Sequence, residues 1–214
     1  MTAKEEDILT SQNLIKKGIV ITKLLDSLIM TEGITSSDLV MGDKNAVMVA
    51  ARVLAYGPKY TCEVPNPETG DTIKQTFDLT DCPFKKLPSD IDGNDFIFDL
   101  PISKNKIKFK LLTGKEELLI DEELKSINKS VGGQVSPELT TRLRHLITEV
   151  DGNSEQSYIN NFTQNMLARD SMALRQEIKR ISPDIDLTQE IEIGGEVVSV
   201  AIPMTATFFW PDAE

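Results

Sequence analysis

The chain has 214 residues, 40% hydrophobic and 27% charged, and a formal net charge of −11; this predicts a globular protein with a real core, as one domain or two small ones. The acidic balance argues against a nucleic-acid binder held by phosphate contacts and suits a protein that docks on basic protein surfaces. The opening MTAKEEDILT lacks the basic region and apolar run of a signal peptide, and no apolar run approaches the roughly 18 residues that span a bilayer, so a soluble, intracellular protein without membrane partners is expected.

In chain order, Ile8, Leu14, Ile15, Leu24, Leu25, Leu28 and Ile29 recur largely at helical spacing and predict one amphipathic helix over residues 8–30, weakened at Gly18 and ended by Thr31-Glu32-Gly33. A second helix is predicted over 43–56, with Asp43 as N-cap and Gly57-Pro58 as the stop. Together they make an N-terminal helical region, residues 1–58. The pattern then changes to β. Tyr60–Val64 and Thr72–Leu79 read as strands around the loop PNPETGD. Phe96–Ile102 and Lys106–Leu112 read as a second pair, with Ile107, Phe109 and Leu111 alternating against Lys106, Lys108 and Lys110, a solvated lysine face. A helix follows in KEELLIDEELKSINK, and Arg142–Val150 is assigned to a strand because Asp151-Gly152-Asn153 is a turn signal directly after it. Ser157–Leu167 and Asp170–Ile181 form a final helix or helix pair, with Asp170 or Ser171 as the candidate cap between them and Ser182-Pro183 as the stop.

The closing stretch QEIEIGGEVVSVAIPMTATFFWP (189–211) holds two β-prone runs around Gly194-Gly195, a hairpin signal. The resulting expectation is an α+β chain with hairpins over 60–79, 96–112 and 189–211, residues 59–214 forming one compact unit.

Chemistry is sparse. The one histidine, His145, sits among Leu143, Arg144, Leu146 and Ile147 and reads as a packed residue. Gly132-Gly133 has neither the spacing nor the following Lys-Ser/Thr of a phosphate loop, and Ser130 and Ser136 lie outside any nucleophile-elbow pattern. The acids Glu116-Glu117 and Asp121-Glu122-Glu123 read as a solvated helix face. Cys62 and Cys82 do not amount to a disulfide framework, and reduced thiols are the simpler expectation. With one His and two Cys, a structural zinc site would need carboxylates to complete it. No catalytic, cofactor-binding or metal-binding residue is assigned, and the protein is expected not to be an enzyme.

Several separated segments resemble the baseplate hub assembly proteins of T-even-type contractile-tailed bacteriophages. They are Gly42-Asp43-Lys44-Asn45 with Ala50-Ala51-Arg52 and Tyr56-Gly57, then Phe109–Gly114 (FKLLTG), Thr148–Gly152 (TEVDG), Met166–Arg175 (MLARDSMALR), Ser182–Asp186 (SPDID), and Ile202-Pro203 with Phe208–Pro211 (FFWP). They fall in the family's order and cover most of the chain from about residue 40 onwards. The resemblance implies a virus-encoded assembly factor that helps build the central hub of the tail baseplate in the host cell cytoplasm. It acts as a chaperone, or as a minor hub subunit retained in the virion, and its partners are other baseplate hub proteins.

Many relatives carry CPxC-like knuckles in two hairpin loops, a zinc-ribbon-like sheet. Here those loops read VPNPETG and IGGEV, without cysteines, so the ribbon is expected without metal. A nucleic-acid-binding ribbon would need a basic face, for which the Lys104–Lys110 cluster is the candidate, against the acidity around it.

Two groups stand out as interaction or structural anchors. Phe208, Phe209, Trp210 and Pro211 either cap the core or form a docking plug with one ring inward and the next outward. Arg169, Asp170 and Arg175 are either a helix cap with surface charges or a buried, ion-paired hinge joining the last helices to the hairpin sheet.

Overall fold

The structure, a computed structural model, describes residues 1–66, 70–89, 91, 93–131, 136–193, 195–204 and 206–209. Among these residues the fold is α+β, with eight α-helices and three small antiparallel sheets. The strands do not join into one ribbon. The chain divides into two units, one made of Met1–Ser36, Gly42–Lys85 and Pro183–Glu214, the other of Ser37–Met41 and Lys86–Ser182. This differs from the expected boundary at residue 58, because the N-terminal helices share a core with the first and last hairpins.

In the first unit, the expected helix over 8–30 is three helices: α1 (Ala3–Thr10), α2 (Gln12–Lys16) and α3 (Val20–Leu28). Ser11 is extended and Gly18 takes φ +69°, and each breaks the helical ladder. The α1 start is fixed by Glu5, whose carboxylate accepts from the Thr2 amide at 2.6 Å and hydroxyl at 2.7 Å, a reciprocal cap. Helix α4 (Met41–Tyr56) begins two residues before the expected cap, so Asp43 lies in its first turn.

Strands β1 (Lys59–Pro65) and β2 (Thr72–Asp78) pair from Lys59↔Asp78 to Pro65↔Thr72. Tyr60, Cys62 and Val64 point inward and alternate with exposed neighbours. Strands β6 (Thr188–Ile193) and β7 (Glu196–Ala201) pair to Ile193↔Glu196, with Gly195 at φ +93°, the left-handed backbone a tight hairpin needs. The two hairpins, α1, α3 and α4 close one core around Leu9, Leu24, Val49, Phe77, Ile191 and Val200. Pro67 of the first loop and Gly194 of the last lie outside the described residues.

The second unit is built on β3 (Phe96–Asp99), β4 (Lys106–Phe109) and β5 (Ile147–Val150), in the order β3-β4-β5. Expected strands over 96–102 and 106–112 are trimmed to four residues each, and Leu100–Ser103 turns. The assignment of Arg142–Val150 to a strand is corrected in its first half: α6 (Glu138–Leu146) runs through Leu146 and only Ile147–Val150 is extended. Leu143, Leu146, Ile147 and Val150 are all buried, and that three-and-four spacing is helical as far as Leu146. Helices α5 (Gly114–Val131), α7 (Gln156–Asn165) and α8 (Ala168–Ile181) complete the unit.

The α5 start is held by Glu116, which accepts from the Thr113 amide (2.9 Å), the Thr113 hydroxyl (2.5 Å) and Lys110 Nζ (2.6 Å). Burial alone would raise its pKa, but these donors, with the charge of Lys110, bring it down to about 2. The folded value lies below the ordinary 4.5, so Glu116 contributes stability above about pH 4.5 that is lost as pH falls towards about 2. That contribution is roughly 2 kcal/mol after discounting for solvent screening. Glu116→Gln is expected to lower stability at neutral pH and to flatten the acid limb between those values, measured by denaturant unfolding across pH.

Candidate interaction residues

The C-terminal aromatics are placed by a short 3-10 turn, Ala206–Phe209, beyond the end of β7. On a strand the two rings would alternate; on this tighter turn both face the core. Phe208 is 1% and Phe209 2% exposed. Their rings meet edge to face at 5.2 Å, and Phe208 meets Tyr60 at 4.9 Å. The alternative of one Phe ring inward and its neighbour outward does not hold for this pair. Trp210 and Pro211 lie outside the described residues.

The aromatic row continues to a residue of the Ala50-Ala51-Arg52 segment that was not among the expected anchors. Arg52 on α4 is 3% exposed and lies over Tyr56 at 5.1 Å and Tyr60 at 5.9 Å. Its Nη1 donates to the Gly57 carbonyl at 3.1 Å and its Nη2 to that of Lys59 at 3.2 Å, tying the end of α4 to the start of β1. Burial pushes its pKa down, opposed by the two tyrosines. Its Nε has no hydrogen-bond partner among the described residues. The Tyr60 hydroxyl donates to the Pro203 carbonyl at 3.2 Å. Arg52, Tyr56-Gly57, Pro203 and Phe208-Phe209, quoted above as separate segments, are thus brought together in one unit. The available signal was Arg52 as the one charge in the stretch from Ala46 to Tyr56 of α4, otherwise Ala, Val, Met, Leu and Tyr.

Asp170 is fully buried, in the first turn of α8. Its carboxylate reaches the turn after β3, accepting from the Ile102 amide at 2.8 Å and the Ser103 amide at 3.0 Å. Burial alone would raise its pKa; the donors of Ile102 and Ser103, with the charge of Lys104, hold it below the ordinary value. It therefore ties the start of α8 to the turn after β3 through backbone amides. Arg169 is exposed; Arg175 is exposed too, and its Nε donates to the Ser171 carbonyl at 3.3 Å within the helix. The three residues do not converge. Asp170→Ala would leave the Ile102 and Ser103 amides without their buried acceptor and is expected to destabilise the protein by about 2 kcal/mol, measured by urea unfolding.

His145 lies 3.0 Å, through Nε2, from Glu123, which also accepts from Arg144. Burial would raise the Glu123 pKa, and these partners bring it below its ordinary value. Arg142 bridges Glu117 at 2.8 Å and Glu138 at 3.3 Å. The pairs that reach Glu117 and Glu123 fasten α5 to α6, while Arg142–Glu138 lies within α6. Cys62 and Cys82 are free and buried, with the Cys62 thiol pushed up to about 11 by burial. Among the described residues no group of three or more His, Cys, Asp or Glu side chains is arranged to hold a metal ion, and no helix is long and apolar enough to cross a membrane.

Comparison of the chain with protein-family models, curated proteins and solved structures returns no match.

Proposed function

We propose that this chain is a non-enzymatic bacteriophage morphogenesis protein that assists assembly of the tail baseplate central hub by protein–protein binding. The observation that carries this reading is the ordered series of hub-assembly-like segments from Gly42 to Pro211. Its net charge of −11 favours a partner with a basic surface over nucleic acid. The charge is unevenly spread: residues 183–214 carry seven carboxylates and no Lys, Arg or His. The protein acts in the host cell cytoplasm and holds a hub subunit until the subunit is incorporated. An assembly factor that leaves needs a moderate, partly polar interface, which suits an acidic surface better than a permanent apolar one.

Deleting the gene from the phage tests this. The expected result is an accumulation of incomplete baseplates without the central hub, repaired by supplying the protein in trans. Normal baseplates would overturn the proposal. Retention in finished particles would convert it to the minor-subunit form of the same reading. The purified protein is expected to carry well under one equivalent of zinc; one equivalent, lost to a chelator with unfolding, would return the ribbon-like metal module to consideration.

A further inference from the structure

Helix α5 presents an outward stripe that is complementary to itself. Glu116, Glu117, Ile120, Glu123 and Leu124 lie on its inner side, where Ile120 is fully buried and the three glutamates make the pairs described above. The opposite side, at spacings of three, four and seven residues, holds Lys115, Leu118, Leu119 and Glu122, all exposed. Leu118 is 59% and Leu119 55% exposed. Isolated exposed leucines are ordinary. Here two adjacent leucines sit at the centre of a stripe with a cation one turn before and an anion one turn after.

We infer that α5 is a self-association surface whose partner is a second copy of this chain, packed antiparallel about a two-fold axis between Leu118 and Leu119. That axis sets Leu118 of one copy against Leu119 of the other. It also brings Lys115 of each copy opposite Glu122 of its partner, giving two equivalent ion pairs around an apolar centre. A parallel pairing would set like charges together. Lys115 also pairs with Asp38 within its own chain, at a side-chain exposure of 62%; its ammonium has three donors and can serve both carboxylates. Four side chains per copy fall short of the ~800 Å² per partner of a standard interface, so the dimer is weak and forms with rising concentration. This inference does not depend on the proposed function.

The test is sedimentation velocity of the full chain over a concentration series, for the wild type, Leu119→Glu, Glu122→Lys, Lys115→Glu, and an equal mixture of the last two. Circular dichroism and thermal unfolding of each variant check that it is folded. The wild type is expected to show a concentration-dependent dimer, and Leu119→Glu to stay monomeric. Each charge reversal alone turns two attractions into two repulsions and is expected to raise the dissociation constant about tenfold. Mixing the two reversed chains restores both pairs, and the dimer is expected to return as the mixed species. A wild type that stays monomeric at the highest concentration would overturn the inference. So would a dimer that survives Leu119→Glu, or a mixture that fails to re-associate.

Discussion

Phe208→Ala is expected to destabilise the protein by about 3–5 kcal/mol, the largest single effect foreseen for a side-chain truncation here. The ring is 1% exposed and packs edge to face on Tyr60 at 4.9 Å and Phe209 at 5.2 Å. Removing it costs the transfer term of an aromatic side chain and leaves a cavity beside two rings that a short turn cannot collapse to fill. Phe208→Leu, which keeps most of the volume, is expected to cost clearly less. Urea unfolding measures both. A loss under about 1 kcal/mol for Phe208→Ala would show that the turn is not part of the core. Truncation after Thr207 follows the same logic: it removes both buried rings, so loss of folding is expected before any loss of binding can be read.

Gly42→Ala is expected to destabilise by about 3 kcal/mol or more, although helix propensity favours alanine, by less in this first turn of α4 than the roughly 1 kcal/mol of a helix interior. The two effects have opposite signs, which makes the outcome decisive. A Cβ at position 42 would lie 1.8 Å from the Pro183 carbonyl oxygen and 2.4 Å from its carbonyl carbon. Both are main-chain atoms, so no side-chain rotation relieves the clash; α4 or the chain entering at Pro183 must shift. Thermal unfolding of Gly42→Ala reads the sign directly, and a variant as stable as the wild type would mean that the backbones are not in contact.

The parts of the fold legible in the sequence are those governed by short-range periodicity. Alternation over Tyr60–Val64 and Gly-Gly after Ile193 specify their hairpins within a few residues, because the side-chain period and the φ requirement act locally. Ser11 and the three-residue helical spacing from Leu143 to Leu146 were legible in principle. Ser11 follows a helix already started by Thr2 and Glu5, and the turn signal at Asp151-Gly152 says only that a strand ends there, not where it begins. Thr113 and Glu116 form the same capping pair at the start of α5.

The anchors were legible as residues worth weighing but not in their roles. Asp170 meets amides 67 and 68 positions away, and Gly42 meets Pro183 only after the chain returns from the second unit; no local pattern encodes either. Phe208 and Phe209 stood out as aromatic mass. That both rings turn inward follows from the 3-10 geometry after β7, which their strand-like composition concealed. Gly42 against Pro183, Arg52 over Tyr56 and Asp151 at φ +50° are each held by close local geometry. Such points serve the fold itself, so partner recognition has to be measured on its own.

The most direct measurement of the proposed role is affinity capture of the tagged, full-length protein from infected cells, paired with mass spectrometry of purified particles. The account predicts that baseplate hub proteins are enriched with the tagged chain and that none of its peptides is found in finished particles. Capture without any hub protein, in cells where the tagged chain supports phage growth, would contradict it.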